Sequence, residues 1–360
     1  MAQYWHGCNY PWSSDGTTVY YGLDFGANIW GSHLGVSTRR DAVRRDFADM
    51  AALGFVVSRW FVLTDGRSGI LFDERGFPSG LDGMFFTDLD AALEMAASAG
   101  IRLVLVMLDH RWMFRGVRDT IVDPTTGVIA EVRLPHGRDL VLRTEYGQDA
   151  LITNVLAPIV QRYGSTGARA DLGSQVLAFE LMNEPDFIIE EWESDVSDRV
   201  TRPVRFEMFG SLVARFNALV HAWSGAFTTI GCARLHNLWV WDDEELGVDL
   251  LQLHSYPDTR GRQDRDVFGT SAAALGVRRP VVLGEFPGDG PNRHPPGKAP
   301  PPTSLDDYLE FAVAAGYRGG WPWSFSGTDA YGPLPRSALH RFAQRHPELV
   351  NPRARVLSTD

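Results

Sequence analysis

Short apolar, β-branched runs alternate with longer stretches of helical periodicity from one end of the chain to the other, the pattern that sets parallel strands between helical crossovers. Strand-sized runs fall at Tyr4–Tyr10, Phe55–Leu63, Ile101–Leu108, Val176–Met182, Thr228–Cys232, Asp249–His254, Pro280–Phe286 and Gly319–Phe325. Helical patterns lie at Thr38–Leu53, Thr87–Ala99, Glu145–Tyr163, Arg205–Trp223, Ser304–Ala315 and Ser337–Arg345. Gly54 and Gly100 each close a helix just before the next strand, as helix-stop chemistry requires. The count of strands predicts an α/β chain closed into a (β/α)8 TIM barrel. A doubly wound open sheet would carry a glycine-rich nucleotide loop after its first strand, and none occurs.

The regular alternation breaks twice. Within about 115–144, the segments Ile121–Val128 and Glu131–Leu134 predict a β-hairpin on the loop after the third strand. A proline-rich loop, Pro287–Pro302, follows the seventh strand. Both are enlarged strand-to-helix loops, on the face where barrels build their sites. Barrels reach 360 residues around one core, so 1–360 reads as a single domain.

Two strands deliver a carboxylate to that face. Phe179–Glu184 is an apolar run ending in Asn183 and Glu184, and Pro185 stops the strand there. Val281–Glu285 has the same build and ends in Glu285. Glycoside cleavage needs such a pair, one carboxylate below the anomeric carbon and one carboxylic acid at the departing oxygen. Mutual repulsion is expected to raise the pKa of one of them and keep it protonated near neutrality.

Charge narrows the substrate. The formal net charge of -11 excludes a polyanion such as nucleic acid and suits a neutral carbohydrate. The longest apolar runs, such as Ile101–Leu108, are far too short to cross a bilayer, so no membrane partner is expected. Met1–His6 has neither the basic leader nor the apolar core of a signal peptide. The chain as it stands therefore reads as soluble and cytoplasmic, or as secreted if a leader is cleaved upstream. Cys8 and Cys232 are too few for a disulfide framework or a cysteine-rich zinc site and are expected to stay unpaired.

These motifs resemble the clan A glycoside hydrolases, most closely the family five cellulase and mannanase group, over nearly the whole chain but through a few short segments. The resemblance implies that Glu184, within Asn183-Glu184-Pro185, is the catalytic acid/base and that Glu285 is the nucleophile of a retaining β-glycosidase. Asn183 is similar to the amide that grips the sugar hydroxyl beside the anomeric carbon. Arg59, in Val57-Ser58-Arg59-Trp60, looks like the arginine that keeps the nucleophile ionised. His254 and Tyr256 look like the strand-six pair, with Tyr256 donating to Glu285. His110 matches a histidine found after strand three. Trp323 resembles the tryptophan that floors the sugar subsite, and Trp321 is the weaker candidate for that place.

No close-spaced His or Cys ligand motif supports a metal among Asp109, His110 and His254, and no Gly-x-Ser-x-Gly elbow supports a serine nucleophile. No cofactor is expected. Trp12, Trp30, Trp60, Trp112 and Trp192 are further candidate sugar platforms, each with core packing as its plainer role. Gluco, manno, galacto and xylo configurations all stay open. The enlarged loops depart from a plain family five pattern, and walls built on them would favour removal of terminal sugars over mid-chain cutting. The competing readings are a carbohydrate-binding barrel without turnover, and a transglycosylase using the same two glutamates.

Overall fold

The structure is a computed structural model that describes the chain apart from residues 1–3, 19–20, 29–31, 115–119, 123–128, 132–137, 193–199, 201, 257–266, 268, 289–303, 328–333 and 355–360. Eight parallel strands close into a barrel: β1 (Trp5–Tyr10), β2 (Val57–Thr64), β3 (Arg102–Asp109), β4 (Val176–Asn183), β5 (Phe227–Cys232), β6 (Leu250–His254), β7 (Val281–Glu285) and β8 (Gly319–Gly320). Each strand pairs with its neighbours in sequence, and β8 returns to β1. Helices on one side and the barrel interior on the other bury both faces of most strands, which is why they read as near-continuous apolar runs.

The eighth strand is shorter than its apolar run. Pro322 has no N–H to give, so the regular ladder stops, yet the chain keeps to the barrel wall. Trp321 N donates to Leu283 O at 2.9 Å and Trp323 N to Phe286 O at 2.8 Å. The helix expected at Glu145–Tyr163 is interrupted by a π-helical turn at Ile152–Leu156 between Glu145–Leu151 and Ala157–Arg162. Pro158 cannot donate back along the helix, and the wider turn sits just before it.

Two crossovers, β5 to β6 and β6 to β7, carry only short helical segments among the described residues, such as Leu238–Trp241 and Ala272–Leu275. Within the stretch read as a hairpin, Thr120–Val122 pairs antiparallel with Ile129–Glu131. The proline-rich loop lies mostly outside the described residues. A second short hairpin, Ile70–Phe72 with Pro78–Leu81, decorates the loop after β2 and left no alternation long enough to read. Among the described residues no helix is long and apolar enough to cross a membrane.

The barrel interior is layered. At its floor lie Trp5, Val57, Val104, Ala178, Leu250, Val282 and Trp321. Gly7 makes room for the Trp321 indole, since a Cβ there would sit 2.6 Å from the ring. Trp321 Nε1 donates to Trp5 O at 3.0 Å, so this tryptophan is core. Above the floor runs a polar belt of Arg59, Glu180 and Gln252, all fully buried. Cys8 and Cys232 are buried and free.

One buried group makes stability depend on pH. The His6 ring lies between Phe55 and Phe342, at centroid distances of 4.7 and 4.6 Å. Neither ring nitrogen has a hydrogen-bond partner among the described residues. Burial, helped by nearby His346, lowers its pKa to about 3, so the folded protein holds it neutral. The unfolded chain binds this proton below about pH 6.5, so the contribution is intact above that value and drains away toward pH 3. His6→Phe is expected to flatten the fall of Tm between about pH 7 and about pH 5. Equal slopes in the two proteins would contradict this account.

Candidate active site

The site is assembled where β4, β6 and β7 end. Strict alternation from the inward Glu180 would turn Asn183 away from the barrel axis. A register shift between Glu180 and Asn183 brings it in. A second shift, between Leu253↔Leu283 and His254↔Glu285, adds a residue on β7 and turns Glu285 toward the interior beside His254, which alternation from Gln252 already points inward. Glu184 adopts a left-handed backbone, φ 49° and ψ 53°, an uncommon and costly conformation for a residue with a side chain. Pro185 begins a short turn immediately after it.

Arg59 is the hub. Its Nε and Nη2 donate to both oxygens of Glu180 at 2.7 and 2.6 Å, while Nη1 donates to Glu285 Oε1 at 2.6 Å. The remaining donor capacity goes to Asn9 Oδ1 at 2.8 Å and Asn183 Oδ1 at 2.7 Å. Arg59 therefore does two things that sequence reasoning set against each other: it forms a buried salt bridge inside the barrel and also reaches Glu285. Asn183 Nδ2 donates to Asp109 Oδ2 at 2.8 Å, and Gln252 Nε2 to Glu180 Oε2 at 2.7 Å. Glycines leave space for these long side chains. A Cβ on Gly231 would lie 2.8 Å from Glu180, and one on Gly284 would lie 2.6 Å from Gln252.

The two strand-end glutamates have different surroundings. Glu285 accepts from Tyr256 Oη at 3.0 Å in addition to Arg59. Glu184 Oε1 and His254 Nδ1 are 3.0 Å apart, a hydrogen bond in which ring or carboxyl supplies the proton. His110 Nδ1 stands 3.8 Å from the other Glu184 oxygen and 3.5 Å from Asp109. Burial raises Glu184 to about 7; His110 and Arg59 oppose the rise, and Asp109 and Asp186 add to it. Burial also raises Glu285, with His254 and Arg59 opposing. Repulsion in the pair was expected to lift one acid. In the structure both are lifted and removal from water is the leading cause, because each carboxylate lies among packed side chains.

Trp323 packs against Phe61 at 5.8 Å and Tyr21 at 5.9 Å, with Tyr256 beside the same cluster. The structure thus brings Arg59, His110, Asn183, Glu184, His254, Tyr256, Glu285 and Trp323 together at the barrel mouth. The other tryptophans divide. Trp60 is packed behind β2 against Phe25 and Phe47, and Trp112 is buried with its Nε1 donating to Arg138 O at 2.9 Å. Trp192 packs tilted against Phe206 and edge-on against Trp241. Trp12 contacts Tyr21 at 5.1 Å, and Trp30 lies outside the described residues.

Sequence reasoning gave no role to Asn9, Glu180, Asp186 or Gln252, and considered Asp109 only as a metal ligand. Gln252 had a usable signal, standing two positions before His254 on one strand face. Asp186 had none: it accepts from Asn237 Nδ2 at 2.7 Å and Ala233 N at 2.9 Å, which join it to the segment after β5. Glu184, His254 and Glu285 each offer an atom within 4.8 Å of the others. A divalent ion could be held there, and it would occupy both carboxylates.

No protein-family model and no curated protein sequence matches this chain. Solved structures do share its fold. A β-1,4-D-mannanase from Cryptopygus antarcticus matches with a TM-score of 0.70 and 17% identity over 94% of this chain and 89% of that one. A β-mannanase from the blue mussel Mytilus edulis matches with a TM-score of 0.70 and 19% identity over 99% and 94%. An exo-β-1,4-mannosidase from an Opitutaceae bacterium matches with a TM-score of 0.58 and 16% identity over 98% of this chain and 60% of that one.

Proposed function

We propose that the protein is a retaining β-glycoside hydrolase. The observation that carries the reading is the pair itself: Glu184 follows β4 and Glu285 ends β7, with β5 and β6 between them, yet their carboxylate oxygens come within 4.8 Å, one beside His254 and the other gripped by Arg59 and Tyr256. Carboxyl groups about 5 to 5.5 Å apart suit a covalent intermediate, whereas about 6.5 to 9.5 Å leaves room for a water and inverts configuration. Glu285 attacks the anomeric carbon while Glu184 gives its proton to the departing oxygen. Water, deprotonated by Glu184, then releases the sugar from Glu285.

Arg59 and Tyr256 hold Glu285 ionised and aimed. Asn183, fixed by Asp109 and Arg59, is placed to meet the sugar hydroxyl beside the anomeric carbon. Trp323 offers an apolar face to the ring. Aryl β-mannoside, β-glucoside, β-galactoside, β-xyloside and β-cellobioside form the test panel, with mannosides first because the fold neighbours named above act on them. Nitrophenol release with the β-anomer as first product, followed by NMR, supports the proposal. First release of the α-anomer would exclude retention.

The pH profile tests the assignment of the acid. Glu184 must carry a proton, so kcat/KM is expected to fall as pH rises through about 7. Glu285 must be ionised, and its raised pKa places the acid limb above the ordinary carboxylate range. Glu184→Gln is expected to lose about 10²–10⁴-fold in activity on poor leaving groups and to abolish the alkaline limb on activated ones. An alkaline limb that survives in this variant would assign the acid elsewhere.

A further inference from the structure

The segment between β1 and the helix Arg40–Ala52 has no part in the mechanism above, yet it crosses the barrel mouth. Buried polar contacts hold it there. Asp24 accepts from Arg39 Nη2 at 2.6 Å, from Thr18 Oγ1 at 2.6 Å and from Trp60 Nε1 at 3.0 Å. This frame presents Tyr21, whose ring lies 5.0 Å from Phe61 and 5.9 Å from Trp323. From the far side, the turn after β3 sends Arg111 over Tyr21, its guanidinium 4.4 Å from the ring centroid. Arg111 N donates to Asp109 Oδ1 at 3.0 Å, and Asp109 in turn holds Asn183. A continuous wall, Trp12–Tyr21–Arg111, therefore runs from the β1 segment to the β3 turn over β2, tied at one end to the site.

Its position decides what it blocks. In the strand order β1-β8-β7-β6-β5-β4-β3-β2, the β1–β2 side stands across the barrel from β5–β6. Glu184 closes β4 and hydrogen-bonds to β6, so the departing group leaves toward that part of the mouth. On the glycosidase reading the retained sugar would lie on Trp323 of the β8 segment, and its far, non-reducing end would then face Tyr21, whose ring is 5.9 Å from that indole. Stacked arginine and tyrosine make a firm barrier, because the cation–aromatic contact and the buried frame both resist displacement.

We propose that Tyr21, braced by Arg111, closes the non-reducing side of the site, so that the protein removes one sugar at a time from chain ends. This rests on the glycosidase reading and adds where along a chain the cut falls. β-1,4-mannohexaose and cellohexaose, labelled at the reducing end, provide the test, together with the same hexaoses blocked at the non-reducing end by a 4,6-benzylidene group. Wild type is expected to release a single sugar and labelled pentaose first and to leave the blocked chains intact. Tyr21→Ala and Arg111→Ala are expected to raise the share of shorter labelled fragments, and cutting of blocked chains, by about tenfold or more. Tyr21→Phe keeps the ring and is expected to keep the wild-type pattern, which a loss of folding would not do. Internal fragments from wild type, or equal cutting of blocked chains by wild type and both alanine variants, overturns the wall. If nothing in the aryl or hexaose set is hydrolysed, or if Glu285→Ala gives the same products as wild type, the glycosidase reading itself fails and takes the wall with it.

Discussion

Glu285→Ala is expected to lower kcat on the best aryl β-glycoside by roughly 10⁴-fold or more while leaving the fold intact. Glu285 is the carboxylate that Arg59 and Tyr256 both address, and its removal takes away the atom that would form the bond to the sugar. The vacated space lies beside the Arg59 guanidinium, which favours a small anion there. Added azide is therefore expected to restore part of the activity and to yield an α-glycosyl azide of inverted configuration, seen by mass spectrometry and NMR. An α-azide from Glu184→Ala together with a β-azide from Glu285→Ala would exchange the roles of the two residues.

Arg59→Met is the largest expected loss of stability, about 3–5 kcal/mol read by chemical denaturation. The cost comes from the partners. Glu180 would keep only Gln252, and Glu285 would keep Tyr256, so two buried carboxylates would lose their cation. Glu285 would also lose a charge that opposes its raised pKa, so the acid limb of any residual activity is expected to move to higher pH. A double change, Arg59→Met with Glu180→Leu, removes one stranded carboxylate and is expected to regain part of the stability. A loss below about 1 kcal/mol for Arg59→Met would mean that the network is far wetter than its burial implies.

The strands and both glutamates were legible because each glutamate ends an apolar run, the first stopped by Pro185 and the second of the same build. Arg59, His254 and Tyr256 were legible only through resemblance, since single polar residues in apolar runs carry no direction of their own. What alternation could not supply was the pair of register shifts. A reader counting by twos from Glu180 would turn Asn183 outward, and counting from Val282 would do the same to Glu285. The belt of Glu180 and Gln252 was hidden for a related reason: its partners lie on other strands, and only barrel closure brings them to Arg59. The two weakest crossovers, after β5 and β6, were left blank in the helical pattern, and short helical turns occupy them.

The polar belt under the site divides the labour of the molecule. Arg59, Glu180, Gln252 and Asn9 are all strand residues, so the field that tunes Glu285 is wired into the barrel staves, beneath every loop. Tyr21 and Arg111 belong to the rim. On the proposed reading, an exchange of the Tyr21 segment would change which polymers are admitted and where they are cut while leaving the strand-borne contacts of Glu285 to Arg59 in place.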